Sequence, residues 1–318
     1  MINVSNDMYK KSSLIQMNIA RDFYLMHPGD RVPTILEYTE KFSVSRGIVQ
    51  NAIRQLEEDG CIEIEKRGVK GTFLRQIDSK KLCTHTGWGS LIGTMPLPLS
   101  IDLTSLATAL GEQLENAAFP FSFAYITGSE RRMRALEQMM YDFIVVTRST
   151  ALKYLENFDF VRECITLYHC SYASDFVVYF VDPSKHEIEN GMRVAVDRTC
   201  RDQWELTQRL CSGKQVEYIS FPYISFEDLV RKKVADCVIY RFLDNTERKD
   251  SDLWKMGLHA EPIQGIEPFY NEDAKIPVVL VHKENYNIDR LLQKYIDPVQ
   301  SGSIQQAVCS GEKAYKLY

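Results

Sequence analysis

The chain has 318 residues, of which 45% are hydrophobic and 25% are charged, and its formal net charge is -5. This composition is typical of a globular protein long enough for two domains, and it argues against a disordered chain or a protein that coats nucleic acid non-specifically. The sequence contains no run of about eighteen apolar residues and no signal-like N-terminal segment. We therefore expect a cytoplasmic protein that does not contact a membrane.

The cysteines and histidines show no metal-ligand spacing. The eight cysteines include no Cys-x-x-Cys pair, and the six histidines include no His-x-x-x-His pair. The sequence thus predicts no metal site and no cofactor. We expect reduced cysteines, several of which pack as small hydrophobic side chains.

Three predicted helices open the chain. The first runs from Ser12 to His27, and the second runs from Thr34 to Phe42 with Ile35 and Leu36 among its apolar residues. The third runs from Ser45, which can cap it, to Gly60, which can end it. Its apolar residues repeat with helical spacing, and its other face carries hydrogen-bond donors and short side chains that suit a DNA groove. We interpret this third helix as a recognition helix.

A β-hairpin is predicted directly after that helix. Residues 61–65 alternate like a strand, residues 66–71 form a basic turn, and residues 72–74 return as the partner strand. A hairpin with a basic tip is the shape of a wing, which in winged helix-turn-helix domains contacts DNA.

These motifs resemble those of the GntR family of winged helix-turn-helix repressors. The resemblance rests on Gly-Asp-Arg-Val-Pro at 29–33, Val-Ser-Arg at 44–46, Ala-Ile-Arg-Gln-Leu-Glu-Glu-Asp-Gly at 52–60 and Gly-Thr-Phe at 71–73. It implies that Arg46 contacts DNA. The chain departs from the family at the Thr-Ile-Leu of 34–36 and at Gln50, where a second arginine is common, so we expect weaker phosphate clamping or a different base preference.

The predicted partner of this domain is a double-stranded DNA operator, bound by a homodimer. Basic residues cluster on the recognition helix and wing, whereas acidic residues lie at the far end of the helix. The predicted DNA-binding residues are Arg31, Thr34, Ser45, Arg46, Gly47, Gln50, Asn51, Arg54, Lys66, Arg67, Lys70, Gly71 and Thr72.

The sequence pattern lapses into a polar connection between residue 76 and about residue 90. We place the domain boundary there. The predicted domains are a winged helix-turn-helix domain at 1–78, a linker at 79–90 and a two-lobed α/β domain at 91–318.

Strand and helix signals alternate beyond the boundary. Strands are predicted at 91–95, 121–126, 142–146, 163–169, 176–181, 193–197, 216–221 and 236–240, and helices at 103–116, 130–140, 202–211 and 226–233. Such alternation predicts parallel sheets, and the two similar units predict two lobes with a cleft between them.

This pattern resembles the type II periplasmic-binding-protein fold, which many bacterial regulators use as an effector sensor. Taken as a whole, the chain resembles the YhfZ family, in which a GntR-like winged domain is joined to such a sensor. The resemblance implies a small-molecule effector in the cleft.

The loops after the predicted strands indicate where an effector would bind, because ligands of open α/β sheets lie beyond the carboxyl ends of the strands, near helix N-termini. Loops 147–150 and 197–202 each join an arginine to hydroxyl donors, which suits a carboxylate or phosphate. The alternative is that the hydroxyls and Asp202 merely cap helices. The aromatic residues Tyr125, Tyr240 and Phe242 either line the cleft or pack in the core. The predicted effector-binding residues are Thr94, Thr147, Arg148, Ser149, Thr150, Asp197, Arg198, Thr199, Cys200 and Tyr240.

Two functional hypotheses follow. The first is a transcriptional regulator whose operator binding responds to a small anionic metabolite. The second is a ligand-binding protein or enzyme whose winged domain serves only for assembly. Enzymatic activity is disfavoured because the sequence lacks a Gly-x-Ser-x-Gly elbow, a Gly-x-Gly-x-x-Gly loop and a P-loop.

Overall fold

The computed structural model describes residues 11–172, 176–222, 228–229, 232–241, 258–263 and 272–318. The chain divides into two compact units. The first comprises the described residues up to Ile92 together with 112–122 and 285–297, and the second comprises 93–111, 298–318 and the described residues of 123–284. Each unit therefore combines segments that are distant in sequence.

The first unit contains the three predicted helices, namely α1 (Lys11–Tyr24), α2 (Ile35–Phe42) and α3 (Arg46–Glu58). Their packed faces bury Ile19, Phe23, Tyr38, Val49 and Leu56. Leu36, one of the apolar residues of α2, has a side chain that is 51% exposed. The short helix buries one face, which Tyr38 occupies, and a residue two positions earlier lies on the opposite side.

Local capping explains where these helices begin and end. Thr34 and Glu37 form a reciprocal capping box at the start of α2. Ser45 has the extended backbone of an N-cap residue before α3, but its hydroxyl makes no capping hydrogen bond. Gly60 adopts a positive φ of 66° after α3, a conformation that glycine reaches without steric cost.

The wing completes the first unit's sheet. Strands β1 (Arg31–Val32), β2 (Ile62–Lys66) and β3 (Thr72–Ile77) pair antiparallel in the order β1-β3-β2. The connection between β2 and β3 contains a single 3-10 turn at Gly68–Lys70, and Gly71 follows it with a φ of 97°. The predicted hairpin with a basic tip is therefore present.

The segment predicted as a polar connection contains a helix, α4 (Ser79–His85), which Asp78 caps. The segment is polar at most positions, but it also contains two buried residues, Leu82 and Thr86. The Arg21 Nε of α1 donates a 2.8 Å hydrogen bond to the carbonyl of Thr86, which joins the end of this segment to the helical core.

Two lobes follow, each built on a sheet of five strands within the described residues. The first lobe contains β4 (Leu91–Met95), α5 (Ile101–Glu115), β5 (Phe121–Tyr125), α6 (Ser129–Glu137), β6 (Phe143–Thr147), α7 (Arg148–Asn157) and β7 (Val161–Thr166). The second contains β8 (Phe176–Phe180), β9 (Arg193–Val196), α8 (Arg201–Leu210), β10 (Glu217–Ser220), β11 (Cys237–Arg241) and β12 (His259–Pro262). The chain continues through β13 (Pro277–His282), α9 (Tyr286–Tyr295) and α10 (Pro298–Cys309). The helix predicted at 226–233 lies mostly outside the described residues, and so does Phe242.

The strand orders are β5-β4-β6-β13-β7 and β10-β9-β11-β8-β12. Each sheet contains one strand that runs antiparallel to its neighbours, β13 in the first lobe and β8 in the second, and β13 comes from a distant part of the chain. The predicted parallel pairing is present in both sheets, and the antiparallel strand is added to each because the chain crosses between the lobes twice. The order second, first, third, crossing strand, fourth in both lobes is that of the type II periplasmic-binding-protein fold, which confirms the predicted fold class.

A glycine permits close packing at the centre of the first lobe. A Cβ added to Gly93 in β4 would lie 2.1 Å from Cζ of Phe143, a fully buried ring in β6. We therefore expect Gly93→Ala to lower the free energy of unfolding by about 1–3 kcal/mol through overpacking. Gly89→Ala is the matched control, because a Cβ there meets nothing within 4 Å. Thermal unfolding of both variants tests this, and equal melting temperatures would contradict it.

The first unit includes residues beyond the predicted boundary because α9 packs on its helices. Lys294 of α9 donates hydrogen bonds of 2.8 and 2.7 Å to the carbonyls of Tyr24 and Met26, at the end of α1. Burial lowers the pKa of Lys294. Trp88 and Phe119 form edge contacts with Tyr24 beside this site. An ammonium group at a helix C-terminus satisfies carbonyls that have no partner within the helix.

None of the described helices has the length and apolar character needed to span a bilayer.

Candidate functional site

The first candidate site is the open face of α3. The helix buries Val49, Ala52, Ile53 and Leu56, and the predicted DNA-binding residues of the helix all lie on its exposed side. These residues are Ser45, Arg46, Gly47, Gln50, Asn51 and Arg54. Ser12 and Gln16 of α1 line the same shallow groove, and the sequence analysis did not single them out. The face is open to a nucleic-acid partner.

Ion pairing divides the basic residues of this surface into two groups. Arg54 donates a 2.5 Å hydrogen bond to Asn51 and lies 3.6 Å from a Glu58 carboxylate oxygen. Arg67 pairs with Glu65 at 2.8 Å, and this contact raises the pKa of Arg67. Three of the other cations, Arg46, Lys66 and Lys70, form no ion pair with the residues that the structure describes. These three can meet phosphates or bases without breaking an existing pair.

The other predicted residues lie in and around the wing. The Arg31 guanidinium covers Gly71, since a Cβ added to that glycine would lie 3.0 Å from the arginine Nε. Thr72 pairs with Val32 and is partly exposed. The Thr34 hydroxyl accepts a 3.2 Å hydrogen bond from the Glu37 amide, so its own proton remains available for donation to a phosphate.

The second candidate site is a cavity of about 100 Å³ between the two lobes of the second unit. It lies at the carboxyl ends of β4, β5, β6, β9 and β11, where ligands of open α/β sheets bind. Leucine and proline side chains from the loop after β4 form its apolar wall. Its polar lining includes Arg132, Thr147, Tyr172, Asp202 and Arg241.

Arg132 of α6 is the most deeply buried cation of the cavity, with 3% of its surface exposed. Its Nη1 donates to the carbonyl of Ile126 at 2.7 Å, and its Nη2 donates to the Tyr172 hydroxyl at 3.1 Å. Its Nε is buried and has no hydrogen-bond partner among the described residues. A buried donor without a partner costs free energy, so an acceptor on a ligand would be favourable here.

Arg241 adds a second buried guanidinium at the end of β11, with 9% of its surface exposed. Its Nη2 donates a 2.7 Å hydrogen bond to the carbonyl of Leu99 in the first lobe. Two guanidinium groups in a small cavity favour an anionic ligand, because planar paired donors match carboxylate and phosphate oxygens.

Asp202 joins the two lobes at the cavity wall. Its carboxylate, in the first turn of α8, accepts hydrogen bonds of 2.9 Å from the Thr147 hydroxyl and 2.8 Å from the Thr150 hydroxyl, both on the first lobe. Two interlobe ion pairs also involve α8: Arg201 pairs with Glu130 of α6, and Glu205 pairs with Lys153 of α7. The structure therefore has a closed cleft.

Desolvation raises the pKa of Asp202, and the two threonine hydroxyls oppose that shift. Because the folded-state pKa is raised, the ionised carboxylate destabilises the fold. That cost is absent below the ordinary aspartate pKa and complete above the folded-state pKa. We therefore expect Asp202→Asn to raise the melting temperature at neutral pH and to leave it nearly unchanged in acid. Thermal unfolding of both proteins across pH measures this, and a variant less stable at neutral pH would contradict it.

The other residues of the predicted loop at 147–150 serve different contacts. Thr147 caps α7, since its hydroxyl accepts a 3.1 Å hydrogen bond from the amide of Thr150. The alternative that the hydroxyl caps a helix therefore holds for Thr147, which also lines the cavity. Arg148 is paired with Asp273 at 2.5 Å. Ser149 is partly exposed and does not line the cavity.

The predicted loop at 197–202 contributes Cys200 and Asp202 to the cavity. Asp197 accepts hydrogen bonds from the amide and hydroxyl of Thr199 at 2.9 and 2.6 Å, which closes a turn. Arg198 is exposed, and its guanidinium lies 4.8 Å from the centre of the Trp204 ring, outside the cavity lining.

The two remaining predicted residues lie in the protein core. Thr94 is fully buried in β4, and its hydroxyl has no partner among the described residues. Tyr240 packs in the apolar cluster of the second lobe and lines a separate, much smaller cavity.

Sequence reasoning missed several cavity residues. The loop after β5 contributes Thr127, Gly128 and Ser129 just before Arg132, and Gly128 has a positive φ of 80°. A signal was present, because Thr-Gly-Ser followed by arginines also marks a loop at the carboxyl end of a predicted strand. Tyr172 and Arg241 had no such signal, since they come from the crossover and from the last residue of β11.

Together, the two units define a winged helix-turn-helix domain combined with a two-lobed α/β domain of the periplasmic-binding-protein type. Models of known families agree with this class: the helix-turn-helix domain matches residues 27–74, and the YhfZ C-terminal domain matches residues 78–316. The chain belongs to the YhfZ family.

Individual relatives support this assignment. YhfZ of Escherichia coli (strain K12) is 29% identical over 304 residues, which are 96% of this chain and 97% of that protein. The crystal structure of YhfZ from Shigella flexneri is 26% identical in sequence, with a TM-score of 0.59 over 75% of this chain and 98% of that chain. The Uxu operon regulator of Haemophilus influenzae is 37% identical over 67 residues, which are 21% of this chain and 24% of the regulator.

Proposed function

We propose that this protein is a DNA-binding transcriptional regulator of GntR type, whose α/β domain binds a small anionic metabolite that modulates operator binding. The observation that carries the proposal is the exposed face of α3, where Arg46 and Gln50 are open to solvent. A helix that buries one side in a helix-turn-helix core and exposes donors on the other suits insertion into the major groove.

Two further findings support the DNA-binding part. The helix-turn-helix match covers the whole of α2, α3 and the hairpin up to residue 74. One relative in this class carries the name of an operon regulator. Lys66 and Lys70, the two unpaired wing cations, would contact phosphates, and such contacts make affinity fall with salt concentration.

The effector part is supported by the interlobe cavity. Arg132 and Arg241 provide buried guanidinium groups for a carboxylate or phosphate. Asp202 also lines the cavity and can accept a hydrogen bond from a hydroxyl or amino group of the same ligand. A small anion that also carries a hydrogen-bond donor fits this set of groups.

The operator is proposed to be read by a homodimer, since each chain has one recognition helix and paired helices read two half-sites. The experiment is selection of bound sequences from a random DNA pool by the purified protein at moderate salt. Enrichment of a two-fold symmetric site is the expected result. Absence of any enriched site would contradict DNA reading and favour a ligand-binding protein whose winged domain serves for assembly.

A further inference from the structure

Three side chains with metal-binding atoms converge on the second lobe, among residues that do not line the interlobe cavity. His259 and Glu261 are two positions apart on β12, so their side chains leave the same face of this edge strand. His186 approaches them from the segment between β8 and β9. One ligand atom from each residue lies within 4.8 Å of the other two.

The contacts within this cluster are close. His186 Nδ1 and His259 Nε2 each lie 2.5 Å from the same oxygen, Glu261 Oε1, and 3.1 Å from one another. The two imidazole rings meet edge to face, with centroids 4.7 Å apart. Two ring nitrogens and a carboxylate oxygen therefore point at one small volume.

The backbone that carries these groups is held in place on both sides. On β12, His259 pairs with Phe180 and Glu261 pairs with Val178 of the neighbouring strand. In the segment that carries His186, a turn at Asp182 is closed by hydrogen bonds from the amide and hydroxyl of Ser184 at 2.9 and 2.8 Å.

Anchors also follow His186 along the chain. Lys185 pairs with Glu189 at 2.7 Å, and the buried Ile188 fixes the segment to the core of the lobe. Because both backbones are anchored, the three side chains are brought together by the fold of this lobe. Ligands that already lie close together lower the cost of ordering them around an ion.

The donor set matches a transition-metal ion of the zinc class. Imidazole nitrogen and carboxylate oxygen are zinc ligands at about 2.0–2.2 Å, and three protein ligands leave a fourth position for water. Tetrahedral ligands at such bond lengths are separated by about 3.3 Å. The present separations of 2.5 and 3.1 Å need to open by less than one ångström, and the His186 side chain, 65% exposed, has room to move.

We infer that His186, His259 and Glu261 form a binding site for one divalent transition-metal ion of the zinc class, separate from the interlobe cavity. The bound ion would join the edge strand β12 to the segment between β8 and β9 and so stabilise this side of the second lobe. Ligand spacing did not indicate the site, because 73 residues separate the two histidines.

The test is calorimetric titration of the untagged full-length protein with Zn²⁺, in a non-chelating buffer with a reductant that does not bind zinc. Wild type is expected to bind one ion per chain, and His186→Ala and Glu261→Gln are each expected to bind at least tenfold more weakly. His27→Ala is the matched control, since His27 is an equally exposed histidine paired with Asp30 elsewhere in the protein, and it should bind as wild type does.

A second readout separates loss of the site from loss of the fold. Co²⁺ added to wild type should give the intense visible absorption of a tetrahedral site, and His186→Ala should lack this band while its circular dichroism is unchanged. The inference is overturned if wild type binds no stoichiometric Zn²⁺. It is also overturned if His186→Ala binds as tightly as wild type, because the ligands would then lie elsewhere, for example among the partly accessible cysteines Cys83 and Cys164.

Discussion

Replacing Arg46 with alanine should weaken binding to the selected operator by about 1–3 kcal/mol, the cost of losing a good base contact. Arg46 is the first residue of α3, is exposed and forms no ion pair with the described residues, so its removal breaks nothing in the fold. The free energy of unfolding should therefore stay the same. Binding of labelled operator, measured by fluorescence anisotropy, gives the affinity ratio of the two proteins.

Lys70→Ala provides the comparison that identifies base reading. Lys70 lies at the wing tip and is also unpaired within the described structure, so we expect it to contact phosphate. Its removal should weaken binding to operator and unrelated DNA by similar factors and reduce the slope of log affinity against log salt by about 1. Arg46→Ala should instead weaken binding to the operator far more than to unrelated DNA. Equal operator binding by wild type and Arg46→Ala would count decisively against the proposed recognition helix.

Replacing Arg132 with lysine should shift the response to an effector concentration about 10- to 150-fold higher and leave effector-free operator binding intact. Lysine keeps the positive charge but lacks the planar paired donors, including the unpartnered Nε. We expect effector affinity to fall by about 1.5–3 kcal/mol, the worth of a charge-assisted hydrogen bond. The measurement is release or tightening of the operator complex by candidate carboxylate and phosphate metabolites.

Folding must be monitored in the same series, because Arg132 also holds the carbonyl of Ile126 and the Tyr172 hydroxyl. Losing these bonds costs about 1–3 kcal/mol for buried groups. Melting temperatures report this loss separately from the effector response. A lysine variant that folds normally and still responds as wild type does would remove Arg132 from the effector site.

Arg198→Ala is the matched control for this prediction. The sequence alone assigned effector binding to Arg198, but its guanidinium is exposed and stacks on Trp204. We now expect an Arg198→Ala protein to respond normally, because the cavity is lined by Arg132 and Arg241. If Arg198→Ala lost the effector response while Arg132→Lys kept it, Arg198 would be assigned to the effector site, as the sequence predicted.

The sequence by itself determined the elements whose signals are local. The third helix was predicted from Ser45 to Gly60 and observed at Arg46–Glu58, because amphipathic spacing and a glycine with positive φ act within a few residues. The core strands β4, β6, β8, β9 and β11 were predicted in the same way, since a strand buried on both faces is a continuous apolar run. The buried strand β13 was not predicted. The two-lobed fold class followed from their alternation with helices.

Only the tertiary structure decided what depends on residues far apart in the chain. β13 returns to the first sheet and lies between β6 and β7. No local sequence pattern predicts that position. Arg132 and Arg241 line one cavity because the first turns of α6 and the end of β11, which belong to different lobes, meet there. His186 reaches β12 in the same way. Pairing over such distances depends on how whole sheets pack, and local sequence patterns do not reveal it.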